Sequence, residues 1–449
     1  MASERRDTIV ALSTAPGLAG IAIVRLSGPR ALEIALQRLE DPSDDKPSSR
    51  LPHAKAQLCW LRDSHGRRMD QVLAVAFHAP HSYTGETVVE LHLHGSPWIV
   101  NTVLTDLAQE ASIAERGEFT RRAVENGRLS LDQAEAVLEL YAAQGAMAHQ
   151  LALRGLAGAI GHRVRQILCD IQELRCLIEA ELDFSEHAID HTPVETLRHS
   201  AQAIQATLRE WLGSWQIGRL VQGAKVVLAG APNAGKSTLM NALVGEPRVL
   251  VDESPGTTRD AISHALGLGG LSLTLWDTAG LRATVDRVEQ QGVQRTRQLM
   301  EEADLVLQVL APGERSEGAD GDDEKVLTVY AKSDLVLNQP VLATDKRSVA
   351  VSAKTGEGLE RLRELISEYL LGTGWQQLDL VICEARHRQL VDQAAGAMEH
   401  FLEALEWGFD RSLLAVDLLE TEQTLSEITG AANPDDLYPR IFSRFCIGK

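Results

Sequence analysis

A chain of 449 residues exceeds what one hydrophobic core serves, so two or three domains are expected. Its 44 Lys and Arg against 63 Asp and Glu give a formal net charge of -19, which excludes a broad polybasic surface able to grip nucleic acid unaided. No stretch reaches the roughly 18 apolar residues of a membrane span, and residues 1–7 begin neither a signal peptide nor a transit sequence. Five cysteines (Cys59, Cys169, Cys176, Cys383, Cys446) are an odd count with no paired metal spacing. Free thiols in a reducing compartment suit that count, so a soluble cytoplasmic protein with no membrane partner is expected.

Up to about Ala114, β-branched runs such as Ile21-Ala22-Ile23-Val24 and Val88-Val89-Glu90-Leu91-His92-Leu93 are interspersed with Gly/Pro turns and helices. This pattern predicts an α+β N-terminal domain over residues 1–118. Within it, the polar segment from Glu40 to Ser49 reads as a surface loop. From Leu131 the signal turns helical, with Leu153, Leu156, Ile160, Val164, Ile167, Ile171, Leu174 and Ile178 stepping by three or four along one face. After Asp190-His191, Thr192 is a candidate N-cap with Pro193 at the first helical position, and Leu197, Ala201, Ile204, Leu208 and Trp211 continue a second amphipathic helix. These helices predict the first part of a helical bundle domain, residues 119–219.

Between 220 and 372 short apolar strands alternate with helices: Val226-Val227-Leu228, Leu273 to Trp276, Leu305-Val306-Leu307, Val326 to Val329 and Val349-Ala350-Val351. That is the βα alternation of a doubly wound sheet. The acidic stretch from Glu314 to Lys325 reads as a solvated loop of this unit. Beyond Gly372 and Gly374 helical periodicity returns as far as Thr429. The expected architecture is therefore multidomain: an α+β N-terminal domain and an α-helical bundle into which an α/β P-loop domain is inserted, the second part of the bundle being residues 373–449.

Directly after the strand ending at Ala229 comes Gly230-Ala231-Pro232-Asn233-Ala234-Gly235-Lys236-Ser237, with a helix expected from about Thr238. The pattern G-x-x-x-x-G-K-[ST] lets backbone N–H groups curl around phosphates at a helix N-terminus, while Lys236 neutralises charge and the Ser237 hydroxyl coordinates Mg²⁺. Further along, Pro255-Gly256-Thr257-Thr258-Arg259-Asp260 is a switch-like loop offering hydroxyls to the metal, and Asp277-Thr278-Ala279-Gly280 ends a strand. There Asp277 would hold the metal through water and Gly280 would sense a γ-phosphate.

Guanine selection falls to Ala331-Lys332-Ser333-Asp334, where N-K-x-D is the usual pattern. Asp334 accepts from the N1 and N2 donors of guanine, and the missing Asn removes a brace to the phosphate loop, so guanine preference with weakened affinity is expected. Ser352-Ala353-Lys354 supplies the last base-contacting loop. After Asp-x-x-Gly stands Leu281, which cannot orient a water, so another group must; Asp286, Arg287 and Glu289 are the nearby candidates. Asn233 lies where a monovalent cation could do the work of an arginine finger.

Four further segments carry a resemblance: Gly20 to Gly28, Ser82-Tyr83-Thr84-Gly85-Glu86, Gly117 to Ala123, and the terminal Phe445-Cys446-Ile447-Gly448-Lys449. Over its whole length the chain resembles the bacterial tRNA-modification GTPase family MnmE (TrmE), among the TrmE-Era-EngA-like P-loop GTPases. The resemblance implies a tetrahydrofolate-binding, homodimerising N-terminal domain, with Arg25, Glu86, Arg128 and Lys449 at positions that bind 5-formyltetrahydrofolate. It implies K⁺ at Asn233, Asp252, Ser254 and Thr257, Mg²⁺ at Ser237 and Thr258, and Glu289 as the water-orienting carboxylate. It implies that Cys446 takes part in the modification chemistry, as nucleophile, proton donor or folate-site lining. A near-terminal segment expected to be mobile gives little packing reason for a cysteine there. Departures from the family pattern are Thr87, Ser96, Arg128 where Lys is common, and Ala331.

Two functions follow. In the first, GTP hydrolysis activated by K⁺-dependent pairing of two GTPase domains drives addition of a (carboxymethyl)aminomethyl group at C5 of the wobble uridine of certain tRNAs. This reaction uses a folate one-carbon unit and an FAD-dependent partner resembling MnmG (GidA). In the second, the chain is a regulatory switch in ribosome or RNA assembly without covalent chemistry. The folate-like domain and the Cys446 tail favour the first.

Overall fold

The computed structural model describes residues 7–43, 46–183, 192–245, 262–277, 298–314, 325–335, 347–372, 380–431 and 438–449. The N-terminal part runs β1 (Ile9–Leu12), β2 (Ile21–Ser27), α1 (Ala31–Arg38), β3 (Leu39–Glu40), β4 (Gln57–Arg62), β5 (Arg68–Phe77), β6 (Val88–His94), α2 (Pro97–Leu107), β7 (Ser112–Ile113) and α3 (Glu118–Glu125). Four helices follow, α4 (Leu131–Ala142), α5 (Ala146–Leu156), α6 (Ala159–Asp183) and α7 (Val194–Gly223). Next come β8 (Ala224–Ala229), α8 (Lys236–Val244), β9 (Ile262–Leu268), β10 (Leu271–Asp277), β11 (Leu305–Leu310), β12 (Val326–Ala331), β13 (Ser348–Val351) and α9 (Leu359–Leu371). The chain ends with α10 (Ala385–Glu406), α11 (Arg411–Thr429) and the short α12 (Tyr438–Phe442).

Two compact units result. The first comprises Met1–Leu138, Leu156–Val164 and Ser426–Lys449, so the chain's last residues belong with its first; the second comprises Glu139–Gly155 and Arg165–Leu425.

In the first unit a seven-stranded sheet has the order β3-β4-β5-β6-β2-β1-β7, antiparallel except where β1 meets β7. Period-2 alternation in β2 sends Ala22, Val24 and Leu26 to one face, where they pack against Ile34 and Ala35 of α1 and Val100, Val103 and Leu107 of α2. Each of the buried Val, Leu and Ile side chains among them contributes about 1.5–3 kcal/mol as an upper estimate. The alternation therefore leaves Arg25 on the opposite face, in register with Glu90 of β6. That second face is covered by Phe119 of α3, fully buried with Ile9, Ala11 and Ala114.

The segment from Glu40 to Ser49, expected to be a solvated loop, is anchored at its ends. Glu40 is 1% exposed and pairs with Arg62 and Arg68, and the Ser48 N–H bonds to the Leu39 carbonyl. A carboxylate held by two guanidiniums can be buried where an unpaired one cannot.

The second unit carries a six-stranded sheet in the order β13-β12-β11-β8-β10-β9, parallel except for the β9/β10 hairpin. β8 is buried on both faces: Val226 and Leu228 enter one core cluster and Val227 and Ala229 another. This explains its unbroken apolar run. The turn of the β9/β10 hairpin is held by the start of α5, where Met147 N–H donates to the Gly270 carbonyl and Ser272 Oγ bonds to Gln144. α10 lies along α7.

The stripe expected from Leu153 to Ile178 is divided between two helices, α5 and α6, that break at Ala157-Gly158, and Leu153 is 44% exposed. Thr192 does not cap α7. Pro193 occupies the N-cap position without a side-chain bond, and the Thr192 N–H donates to Glu181 Oε1 at 2.6 Å. Among the described residues no helix is long and apolar enough to cross a membrane.

Candidate functional site

The nucleotide site grows from the C-terminal end of β8. Gly230, with φ +149°, passes so close to β11 that a Cβ there would lie 2.2 Å from the Val309 carbonyl oxygen. Asn233 and Gly235 take left-handed conformations (φ 65° and 108°), and α8 starts at Lys236, one residue later. The loop therefore curls over a helix N-terminus, the arrangement that offers N–H groups to phosphate oxygens.

Lys236 Nζ donates to the carbonyls of Gly230 and Ala231 at 2.9 and 2.8 Å, which holds the ammonium across the loop. Ser237 Oγ donates to Asp277 Oδ2 at 2.7 Å, and Asp277 is 3% exposed at the end of β10. A hydroxyl and a carboxylate brought together are hard oxygen donors, so these two fit Mg²⁺. Ala234 is buried beneath the loop, while Thr238 is exposed on the first turn of α8.

The two loops expected to contact the base meet each other, and the first of them meets the phosphate loop. Lys332, itself in a left-handed conformation (φ 57°), reaches from the end of β12 to donate to the Asn233 carbonyl at 2.8 Å. This lysine bridges the base loop to the phosphate loop although Ala331 supplies no amide. Fully buried Ser352 donates to Asp334 Oδ1 at 2.7 Å and accepts from the Thr355 N–H, so the carboxylate is held by the loop that also carries Ala353 and Lys354.

Ala331 lies against the phosphate loop, its Cβ 3.5 Å from where a Cβ on Gly235 would stand. An amide there could reach that loop, so Ala331→Asn is expected to tighten nucleotide binding by about fivefold, the worth of one hydrogen bond of ~1 kcal/mol. A fluorescent-nucleotide titration giving an unchanged or weaker Kd would count against the missing brace.

Asp252, Ser254, Thr257, Thr258, Thr278, Ala279, Gly280 and Glu289 lie outside the described residues, as do Asp286 and Arg287. Of the groups assigned to K⁺, the structure thus describes Asn233 alone.

In the first unit, the turn Ser82–Glu86 gathers the other candidates. Arg25 pairs with Glu90 at 2.8 Å, lies over the rings of Tyr83 and Phe119, and donates to the Gly448 carbonyl at 3.4 Å. Glu86 accepts from Ser27 Oγ at 2.8 Å and pairs with Arg122 at 3.1 Å. Exposed Arg128 packs its methylenes beside Gly85. The Lys449 carbonyl accepts from the Phe119 N–H at 3.2 Å. Arg25, Glu86 and Arg128 therefore lie at one turn and Lys449 at the start of α3, whereas the groove of ≈ 1090 Å³ between Gly28, Arg30, Thr87 and Glu110 includes Glu86 but none of the other three.

The terminal segment is seated, contrary to the expectation that it is mobile. Arg116 donates to the Phe445 carbonyl at 2.9 Å, Gly117 N–H to the Cys446 carbonyl, and Ser13 Oγ to the Gly448 carbonyl at 3.1 Å. Phe445 is buried with Phe442 and Leu131. Cys446 itself is exposed, as are Cys169 and Cys176. Burial raises the Cys59 and Cys383 thiols, which keeps those two protonated and unreactive.

Three residues of this region were not singled out from sequence. Arg122 joins Glu86 to Glu118, Asn126 donates to the Thr84 carbonyl at 2.7 Å, and Glu90 anchors Arg25. The i, i+4 spacing of Glu118 and Arg122 was the one available signal.

With this geometry in view, two family descriptions match the chain: "GTP-binding protein TrmE N-terminus" over residues 8–128 and "MnmE helical domain" over residues 131–446. Among curated relatives, the tRNA modification GTPase MnmE of Thermus thermophilus is 40% identical and that of Nitrosomonas europaea 39%, each alignment covering 99% of both chains. The tRNA modification GTPase MnmE of Burkholderia lata is 38% identical over 100% of both. From the seated tail to the phosphate loop, and along its whole length, this chain belongs to the MnmE (TrmE) family of tRNA modification GTPases.

Proposed function

We propose that the protein hydrolyses GTP to drive addition of an aminomethyl or carboxymethylaminomethyl group at C5 of the wobble uridine of certain tRNAs, in the cytoplasm. It acts as a homodimer, together with an FAD-dependent protein resembling MnmG. The observation that carries this reading is the pairing, in one chain, of a P-loop site with a cysteine-bearing tail seated on the Arg25 face of the N-terminal sheet. A switch that only bound and released partners would need the first and not the second.

In this reading the GTP phosphates lie over the N-terminus of α8, with Lys236 neutralising charge between them. Ser237 and Thr258 ligate Mg²⁺, and Asp277 positions its water. Asp334 selects guanine. Leu281 provides no hydrogen bond to the attacking water, so Glu289 orients it, and K⁺ held by Asn233, Asp252, Ser254 and Thr257 supplies the positive charge that an arginine finger gives elsewhere. Pairing of two GTPase domains brings these groups into place.

At the other site, Arg25, Glu86, Arg128 and Lys449 bind 5-formyltetrahydrofolate, whose bound form supplies the one-carbon unit. Planar guanidinium groups suit a carboxylate-bearing ligand. Cys446 serves the modification step as nucleophile, proton donor or lining of that site. The net charge of -19 leaves most of the tRNA grip to the partner protein.

The test is GTP hydrolysis in K⁺ against Na⁺ buffer, with Glu289→Ala as the control. Strong stimulation by K⁺ is expected, and Glu289→Ala should cost about 10²–10⁴-fold, the range for losing a positioned base. Equal rates in both salts would remove the cation site at Asn233.

A further inference from the structure

In the second unit, the first half of α11 carries apolar side chains outside its buried stripe as well as within it, among exposed Ser412 and Glu420. Leu414, Leu418 and Leu425 are fully buried against the bundle, as 3.6-residue periodicity requires of its inner stripe. The same periodicity puts Val416 and Leu419 on the side away from that stripe, with Leu413 beside them, and these are 58%, 41% and 53% exposed. The turn before the helix extends the surface: Trp407 and Phe409, 78% and 52% exposed, stack at 6.4 Å with an interplanar angle of 10°. Exposed His400 of α10 stands 3.6 Å from Asp417 of α11, so the two helices meet beside these side chains.

Large apolar side chains left exposed on a folded helix, grouped in sequence with an exposed aromatic pair, mark an interaction surface. The rim narrows the occupant. Glu403, Glu406, Asp410 and Glu420 stand exposed beside the patch, and the neighbouring cation Arg411 is turned inward to Glu181 and the Thr192 carbonyl. RNA is repelled by such a rim, and a second copy of the same surface would bring like charges together.

We propose that Trp407, Phe409, Leu413, Val416 and Leu419 form the docking surface for a protein partner that presents an apolar helix or groove edged with Lys and Arg. This rests on the tRNA-modification reading, which supplies such a partner in the MnmG-like protein. Trp407 is the anchor, because large aromatic side chains carry most of the energy in patches of this kind. The acidic rim sets orientation and hastens encounter.

The experiment is calorimetric titration of the full-length chain with the purified MnmG-like protein of the same organism, using wild type, Trp407→Ala and Val416→Asp. GTP hydrolysis and melting temperature serve as folding controls, since both side chains are solvent-exposed. The expected result is a complex with wild type, weakened by about 30-fold or more in Trp407→Ala, comparably weakened in Val416→Asp, and loosened by added salt. Unchanged affinity in both variants would overturn the surface while leaving the partner in place. No complex with wild type would instead overturn the partner assigned in the proposed function. Sedimentation of the chain alone closes the remaining route: dissociation of a dimer by Val416→Asp would assign the patch to a second copy and reject a heterologous partner.

Discussion

Asp334→Ala is expected to weaken GTP binding by about 10²–10⁴-fold, because in the proposed function the carboxylate accepts from both N1 and N2 of guanine. Each hydrogen bond to a charged acceptor is worth ~1.5–3 kcal/mol, and two of them span that range. The carboxylate is already directed. Ser352 Oγ holds one of its oxygens at 2.7 Å, and Ser352 is itself fully buried. The loop beneath is tied to the phosphate loop by Lys332, which donates to the Asn233 carbonyl. Little ordering is therefore left for the ligand to bring about, and its loss should appear mainly as faster dissociation. ITP separates the terms, since it lacks the N2 amine: its affinity should fall by less than that of GTP in the variant. A GTP affinity within threefold of wild type, or ATP competing on equal terms with GTP against wild type, would remove Asp334 from base selection.

The phosphate loop was legible in the sequence because backbone geometry fixes its two glycines, and phosphate and metal chemistry its Lys and Ser, within eight consecutive positions. Gly230 passes against β11 where a side chain has no room, and Gly235 turns left-handed immediately before α8. The strands of the nucleotide-binding sheet were legible for a related reason. β8 and β11 are buried on both faces and read as apolar runs interrupted only by Lys225 and Gln308. The division of one helical stripe into α5 and α6 was not, since the apolar spacing continues through Ala157-Gly158 where the backbone does not.

Tertiary contacts were least legible. Glu40 sits in a polar, turn-rich run and reads as solvated, yet Arg62 and Arg68 from two other strands neutralise it in the interior. Arg25 and Glu86 were reached through family resemblance, and only the fold shows that Glu90 and Arg122 hold them. No local pattern encodes those partners. The seating of the tail is the extreme case: Ser13 and Gly448 bond across 435 positions of the chain.

That seating gives the second large expectation. Gly448→Val should abolish wobble-uridine modification, by about 100-fold or more, and leave GTP hydrolysis near the wild-type rate. Gly448 has φ 92°, and a Cβ there would lie 2.0 Å from the Leu12 carbonyl oxygen, 2.8 Å from the Leu12 carbonyl carbon and 3.1 Å from Ser13 Cα. All three are backbone atoms, so nothing yields and the tail must lift. Lifting removes the bonds from Ser13 and Arg25 to the Gly448 carbonyl and the bond from the Phe119 N–H to Lys449. A displacement of only 1 Å in a reacting constellation costs about 10²-fold. The nucleotide site is built from residues of the other compact unit, which is why hydrolysis is the internal control. Nucleoside mass spectrometry of tRNA, in a strain dependent on the variant, reads the outcome against Cys446→Ser. Modification lost in both variants would make the seated thiol the requirement. Modification lost in Gly448→Val but complete in Cys446→Ser would assign the requirement to the seat, through Arg25 and Lys449, and remove the thiol from the chemistry. Wild-type modification by Gly448→Val would show that the reaction does not need the tail where this fold holds it.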